Sequence, residues 1–129
     1  MSDTLEKDVP DVPNVWLVYN DHRKNTDAAG HFGQIKEMFS GYIDYDAVVW
    51  QARKMFDGRY KEGDFIVVVG DPRLVAIVVT VAEKYYAENG KLKLLIWDKD
   101  LIEYFPMEVN FPDDDDYTAA EVQYKSQRI

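Results

Sequence analysis

The run Phe65-Ile66-Val67-Val68-Val69 constrains this chain more than any other five residues. Consecutive side chains on a strand point to opposite faces, so an unbroken apolar, mostly β-branched run needs cover on both faces, as at the centre of a parallel sheet. The run stops at Gly70-Asp71-Pro72. Aspartate at an N-cap, followed by proline with its fixed φ at the first helical position, starts a helix. A buried strand feeding straight into a helix is half of a βαβ unit, and the rest of the chain must supply its parallel neighbours.

The helix after Asp71 is predicted to run to about Glu88 and to end at Asn89-Gly90. Val75, Ile77, Val78, Val79 and Val81 individually prefer strands, but a stretch of roughly 16 residues without a break is long for one strand and both ends carry helix signals. It is apolar nearly all round and is expected to be largely buried. A second helix is predicted over Asp44–Phe56, with Asp44 as its cap and Gly58 as its terminator. Tyr45, Val48, Val49, Ala52, Met55 and Phe56 recur at three- and four-residue steps and form its buried face. Asn14–Asn20 (NVWLVYN) reads as a buried strand, Gly33–Phe39 as a weaker one, and Lys91–Trp97 (KLKLLIW) as another. Asp98-Lys99-Asp100 turns the last of these into Leu101–Val109, an antiparallel partner. Strands alternating with helices imply an α/β fold. The expected architecture is a compact Rossmann-like sandwich of two or three layers, mostly parallel, with an antiparallel C-terminal edge strand. The body is residues 14–112. An acidic lead-in, residues 1–13, is expected to be flexible, and an acidic polar tail, residues 113–129, follows the body, with one or two helical turns expected around Thr118–Tyr124.

Charge narrows the partners. The chain of 129 residues carries 24 acids and 15 bases, a net −9. That argues against a phosphate-neutralising nucleic-acid surface and against docking on an anionic membrane. The acidity is uneven. Residues 1–11 hold four acids and one base, and residues 113–129 hold five acids and two bases. The 15 acids and 12 bases between them leave the body near ordinary in charge. There is no cysteine, so disulfides, thiolate metal sites and cysteine nucleophiles are excluded. The polar start, Met1–Asp8, lacks the apolar core of a signal peptide, and no apolar run reaches membrane-spanning length. A soluble cytoplasmic protein without membrane contact is the expectation.

Open parallel sheets bind ligands beyond the C-terminal strand ends. Those ends are Asn20-Asp21-His22, Gly70-Asp71 and Asp98. Asp21, Asp71 and Asp98 converging there would suit Mg²⁺ or Mn²⁺, hard cations that assist phosphoryl hydrolysis, with His22 as general base. Each also has a local reading: Asp71 as N-cap, Asp98 as turn residue, Asp21 and His22 as solvated loop. Gly70-Asp71-Pro72-Arg73 is no phosphate loop, because it has one glycine and its aspartate would repel phosphate. GxSxG, HExxH and EF-hand patterns are absent from the sequence. Trp16, Tyr19, Trp50, Tyr60, Tyr85, Tyr86, Trp97, Tyr104 and Phe105 are expected to be mostly core or half-buried. Tyr60, Tyr104 and Phe105 near the sheet edge are an alternative binding surface.

Several short patterns together resemble a group of small α/β proteins, without assigned activity, encoded by tailed bacteriophages. They are Asn20-Asp21-His22, Thr26-Asp27-Ala28-Ala29 with Phe32-Gly33, Gly63-Asp64-Phe65, Gly70-Asp71-Pro72, and Leu94–Asp98 with Tyr104. The resemblance implies a phage origin, residence in the host cytoplasm and no catalytic residues to carry over. It also marks the Asn20–Gly33 loop, with Asp27, as a candidate site, since long loops between short elements are commonly functional. The reading that follows is a non-catalytic phage-type accessory protein acting through a protein partner or through self-association, without cofactor or direct nucleic-acid contact. The alternatives are the metal-dependent hydrolase or nuclease above, and an acidic DNA mimic blocking a nucleic-acid-binding host protein.

Overall fold

The computed structural model describes residues 12–20, 26–87 and 90–110. The acidic lead-in up to residue 11, the acidic tail from residue 111, the Asp21–Asn25 part of the first loop, and Glu88-Asn89 lie outside the described residues. Five strands, β1 (Asn14–Tyr19), β2 (Gln34–Phe39), β3 (Phe65–Val67), β4 (Lys91–Asp98) and β5 (Glu103–Asn110), form one sheet in the order β2-β1-β3-β4-β5. The first four are parallel to their neighbours and β5 runs antiparallel to β4. The fold is therefore α/β with a mixed, mostly parallel sheet and the expected antiparallel edge.

Two α-helices, α1 (Val48–Phe56) and α2 (Pro72–Tyr85), and a 3₁₀ segment, Thr26–Phe32, connect the strands. The crossovers β2-α1-β3 and β3-α2-β4 both travel toward β5, so crossovers of one hand set both helices on the same face. The β1-to-β2 connection travels the other way and sets its 3₁₀ segment on the opposite face. The core divides accordingly. Trp16, Val18, Ile66 and Leu92 pack under Val48, Ala52 and Phe56 of α1 and Leu74, Val78, Val81 and Ala82 of α2. Val15, Leu17, Val67 and Leu95 point the other way, with Ala29 and Tyr104.

Several boundaries differ from expectation for local reasons. The first helix begins at Val48, because the Asp44 carboxylate accepts the Asp46 N–H and closes a turn ahead of it. Val49 is exposed, so the buried face of α1 is the narrower Val48-Ala52-Phe56 row. β3 ends at Val67: Val68 still donates to the Leu95 carbonyl, but the Val69 N–H turns back onto Val67. Helix α2 ends at Tyr85 because Tyr86 and Ala87 both donate to the Ala82 carbonyl, which closes the last turn. It is buried along one face only, and Ala76, Thr80, Lys84 and Tyr85 face outward. β5 starts at Glu103, since Asp98 holds the chain in a turn through Ile102. The weaker strand at Gly33–Phe39 forms as β2.

Candidate functional site

At the C-terminal strand ends, the residues singled out from the sequence are tied into local structure. Asp71 caps α2 through the Arg73 N–H (2.8 Å), and both of its oxygens take the Arg73 side chain, Nε at 3.1 Å and Nη2 at 2.9 Å. These hydrogen bonds hold its carboxyl below the usual carboxylate range and raise the guanidinium. That guanidinium also lies 4.5 Å from the centre of the Tyr45 ring. Asp98 accepts from the Asp100 and Leu101 N–H groups at 2.9 and 3.1 Å. Each carboxylate thus has a complete local role, and Asp21 and His22 lie outside the described residues. Among the described residues no group of three or more His, Asp or Glu stands close enough to hold a metal ion. Asn20 follows β1 and donates its N–H to Phe39. Asp27 is exposed on the 3₁₀ segment. A cavity of about 340 Å³ does open here, lined by Tyr19, Tyr42, Ile43, Tyr45, Asp71 and Leu74.

The aromatic trio separates. Tyr60 sits beyond the C-terminus of α1, stacked edge-on against Phe56 and tilted against Tyr86. Burial, with the nearby Asp64 carboxylate, pushes its hydroxyl up to about 12. Tyr104 and Phe105 are neighbours on β5 and so point to opposite faces. Tyr104 is buried against Trp97, which raises its hydroxyl, while Phe105 is exposed on the helix side beside Met107.

The least expected group is Asp64. It is a buried carboxylate at the start of β3, and it accepts four hydrogen bonds: Asn14 N at 2.8 Å, Asn14 Nδ2 at 3.2 Å, Trp16 Nε1 at 3.0 Å and Lys61 N at 2.9 Å. It ties the beginning of β1 to the turn before β3. Next to it lies a cavity of about 460 Å³ lined by Tyr60, Glu62, Asp64, Lys91, Lys93 and Glu108. This cavity is at the N-terminal strand ends, and its mixed charges complement no single ligand class. Gly63-Asp64 ahead of the Phe65 run was the only sequence signal for the cluster.

A different surface carries unexplained apolar area. Between α1 and α2 runs a groove of about 330 Å³ lined by Val49, Ala76, Ile77, Thr80, Val81, Lys84 and Tyr85. Trp50, next in sequence to the lining Val49, is 63% exposed, against the expectation that it is half-buried or core. Arg53 at 4.0 Å and Lys84 at 5.5 Å lie over the lining Tyr85, and Lys54 lies 4.9 Å from the centre of the Trp50 ring. In a chain with net −9, this is a local concentration of positive charge around an apolar floor. Sequence reasoning missed it because Val49 and Tyr85 fit a helical apolar pattern that the sheet has no room to bury.

Among the described residues no helix is long and apolar enough to cross a membrane. No curated protein and no solved structure matches the chain. The phage Pam3 gp32-like family matches residues 18–111, nearly all of the sheet and both helices. The chain belongs to the family of phage Pam3 gp32-like proteins.

Proposed function

We propose that this phage-family protein is non-catalytic and works by binding another polypeptide in the groove between α1 and α2. The observation that carries the reading is the apolar surface there. Val49 and Tyr85 are exposed and line the apolar groove, and Trp50, next to Val49 in sequence, is exposed as well. Scattered apolar residues on a surface are ordinary, whereas a contiguous patch with tryptophan and tyrosine beside arginine has the composition of an interface centre. Among the described residues, Asp71 and Asp98 are engaged in capping and turn formation, which favours this reading over a metal site at the strand ends.

The test is site-directed photo-crosslinking in lysate of phage-infected cells. A photoreactive side chain replaces Trp50 in one variant and Asp27, on the opposite face of the sheet, in another. The expected result is a discrete adduct from position 50 and none from position 27. Adducts from position 27 alone, or from neither, would defeat the proposal.

A further inference from the structure

The hairpin between β4 and β5 ends in a feature the fold does not explain. Leu101 and Ile102 are 67% and 70% exposed at its tip, and among the described residues neither packs into either core cluster. Ile102 also has φ 54°, left-handed backbone that a β-branched side chain adopts only at a cost. Glycine or asparagine would relieve the strain and remove the exposed apolar surface together. Two aliphatic side chains presented this way are available for a contact beyond the described residues.

The surroundings of the tip indicate the contact. Asp98, Asp100 and Glu103 flank it, with Lys99 the only cation among them. The α1–α2 groove is the complement: an apolar floor large enough for aliphatic side chains, with Lys84 in its lining and Arg53 over the lining Tyr85. Tip and groove lie on different parts of the molecule. The tip is at the C-terminal strand ends on the β5 edge, and the groove is on the outer surface of the helices. The open edge of β5 is a poorer route to association. Leu95 directs its carbonyl at β3, so its partner Pro106 turns its backbone outward, where proline offers no N–H.

We infer that the groove's occupant is the Leu101-Ile102 tip of a second copy of this chain. The inference rests on the groove reading above and names its partner. The contact is heterologous, tip to groove, so a contacting pair still has one tip and one groove unfilled and the assembly grows into a ring or a row.

Sedimentation equilibrium of the full chain tests this with two variants. Ile102→Gly disables the tip and relieves its strain. Lys84→Glu disables the groove at an exposed position, with Val49→Asp as a second groove variant. Thermal melts check that all three fold. The wild type is expected to exceed two chains in mass as concentration rises. Each variant alone is expected to associate at least about tenfold more weakly, the effect of a hot-spot residue. An equal mixture of Ile102→Gly with Lys84→Glu retains one working tip and one working groove, and is expected to form a two-chain complex and nothing larger. A wild type that stays monomeric at every concentration overturns the inference, as does a mixture that stays monomeric while the wild type associates. If the wild type is monomeric while position 50 crosslinks to a different protein, the second-copy inference fails and the groove reading stands. If position 50 crosslinks to nothing, the groove reading fails with it.

Discussion

Replacing Asp64 by alanine is expected to be among the most damaging single changes in this chain, although Asp64 lies at none of the strand ends where ligands are expected. The carboxylate accepts four N–H groups and is almost wholly removed from solvent. Asn14 Nδ2 would keep the Arg59 carbonyl at 3.1 Å, so three donors lose their acceptor: Asn14 N, Trp16 Nε1 and Lys61 N. A buried donor left unsatisfied costs about 1–3 kcal/mol, so the gross loss is several kcal/mol. Two effects reduce it. The buried anion's own desolvation penalty disappears, and water from the adjoining cavity can reach part of the gap. The net expectation is about 3 kcal/mol, or on the order of 15 °C in Tm for a domain of this size. Asp64→Asn is a sharper probe. Oδ2 accepts three of the four bonds, so the amide oxygen must stay there and the new NH₂ faces the Asn14 N–H, donor against donor. That variant should lose about 2 kcal/mol, since one donor is orphaned and the rest are kept. Urea unfolding followed by tryptophan fluorescence measures both variants. If Asp64→Ala loses less than about 1 kcal/mol, the four hydrogen bonds do no more than offset the burial of the charge, and the account of how β1 is tied to β3 is wrong.

Further expectations concern backbone, titration and the edge. Gly70 has φ 130° and a Cβ there would stand 2.8 Å from Tyr19 Cβ, so Gly70→Ala should destabilise by about 3 kcal/mol in the same urea assay. An unchanged midpoint would show that the β3–α2 junction is not packed against β1 as described. The Tyr60 hydroxyl is raised from 10.0 to about 12, so its proton is held in the folded state after the unfolded chain has lost it. Stability is therefore intact below pH 10 and falls as pH rises toward 12, by on the order of 2 kcal/mol from this group. Tyr60→Phe should remove that part of the alkaline loss, and melts of both proteins from pH 9 to 12 would refute it by running parallel. Pro106→Val restores an outward N–H on β5 and should promote edge pairing, seen as thioflavin-positive aggregation on warming that the parent lacks. Equal aggregation of the two would mean that Pro106 does not guard the edge.

The elements that the sequence revealed are those whose chemistry is local. Phe65–Val67 with Asp71-Pro72, the Lys91–Asp98 strand and its antiparallel return are all written in runs of a few residues. Strand order is not, because it depends on which way each crossover travels. The Thr26–Phe32 segment was legible only as a loop, since 3₁₀ turns have little periodicity of their own. The Asp64 cluster joins Asn14, Trp16 and Lys61, up to 50 residues away in sequence, and nothing local marks them as partners. The separation of Tyr104 from Phe105 was readable, since adjacent strand residues face opposite ways. The groove was not, because Val49, Trp50 and Tyr85 look like core by composition, and only the narrow sheet contact of α1 and α2 leaves them outside.

The hairpin tip and the α1–α2 groove are proposed to meet between copies. Amide chemical shifts of ¹⁵N-labelled protein, followed as concentration rises, address this most directly. Asp98–Glu103 at the tip and Val49, Arg53, Thr80, Lys84 and Tyr85 at the groove should shift together along one binding curve, while Phe105 and Met107 stay still. Shifts centred on Phe105 and Met107 would place the contact on the β5 face, and shifts in the groove without the tip would give the groove a different occupant.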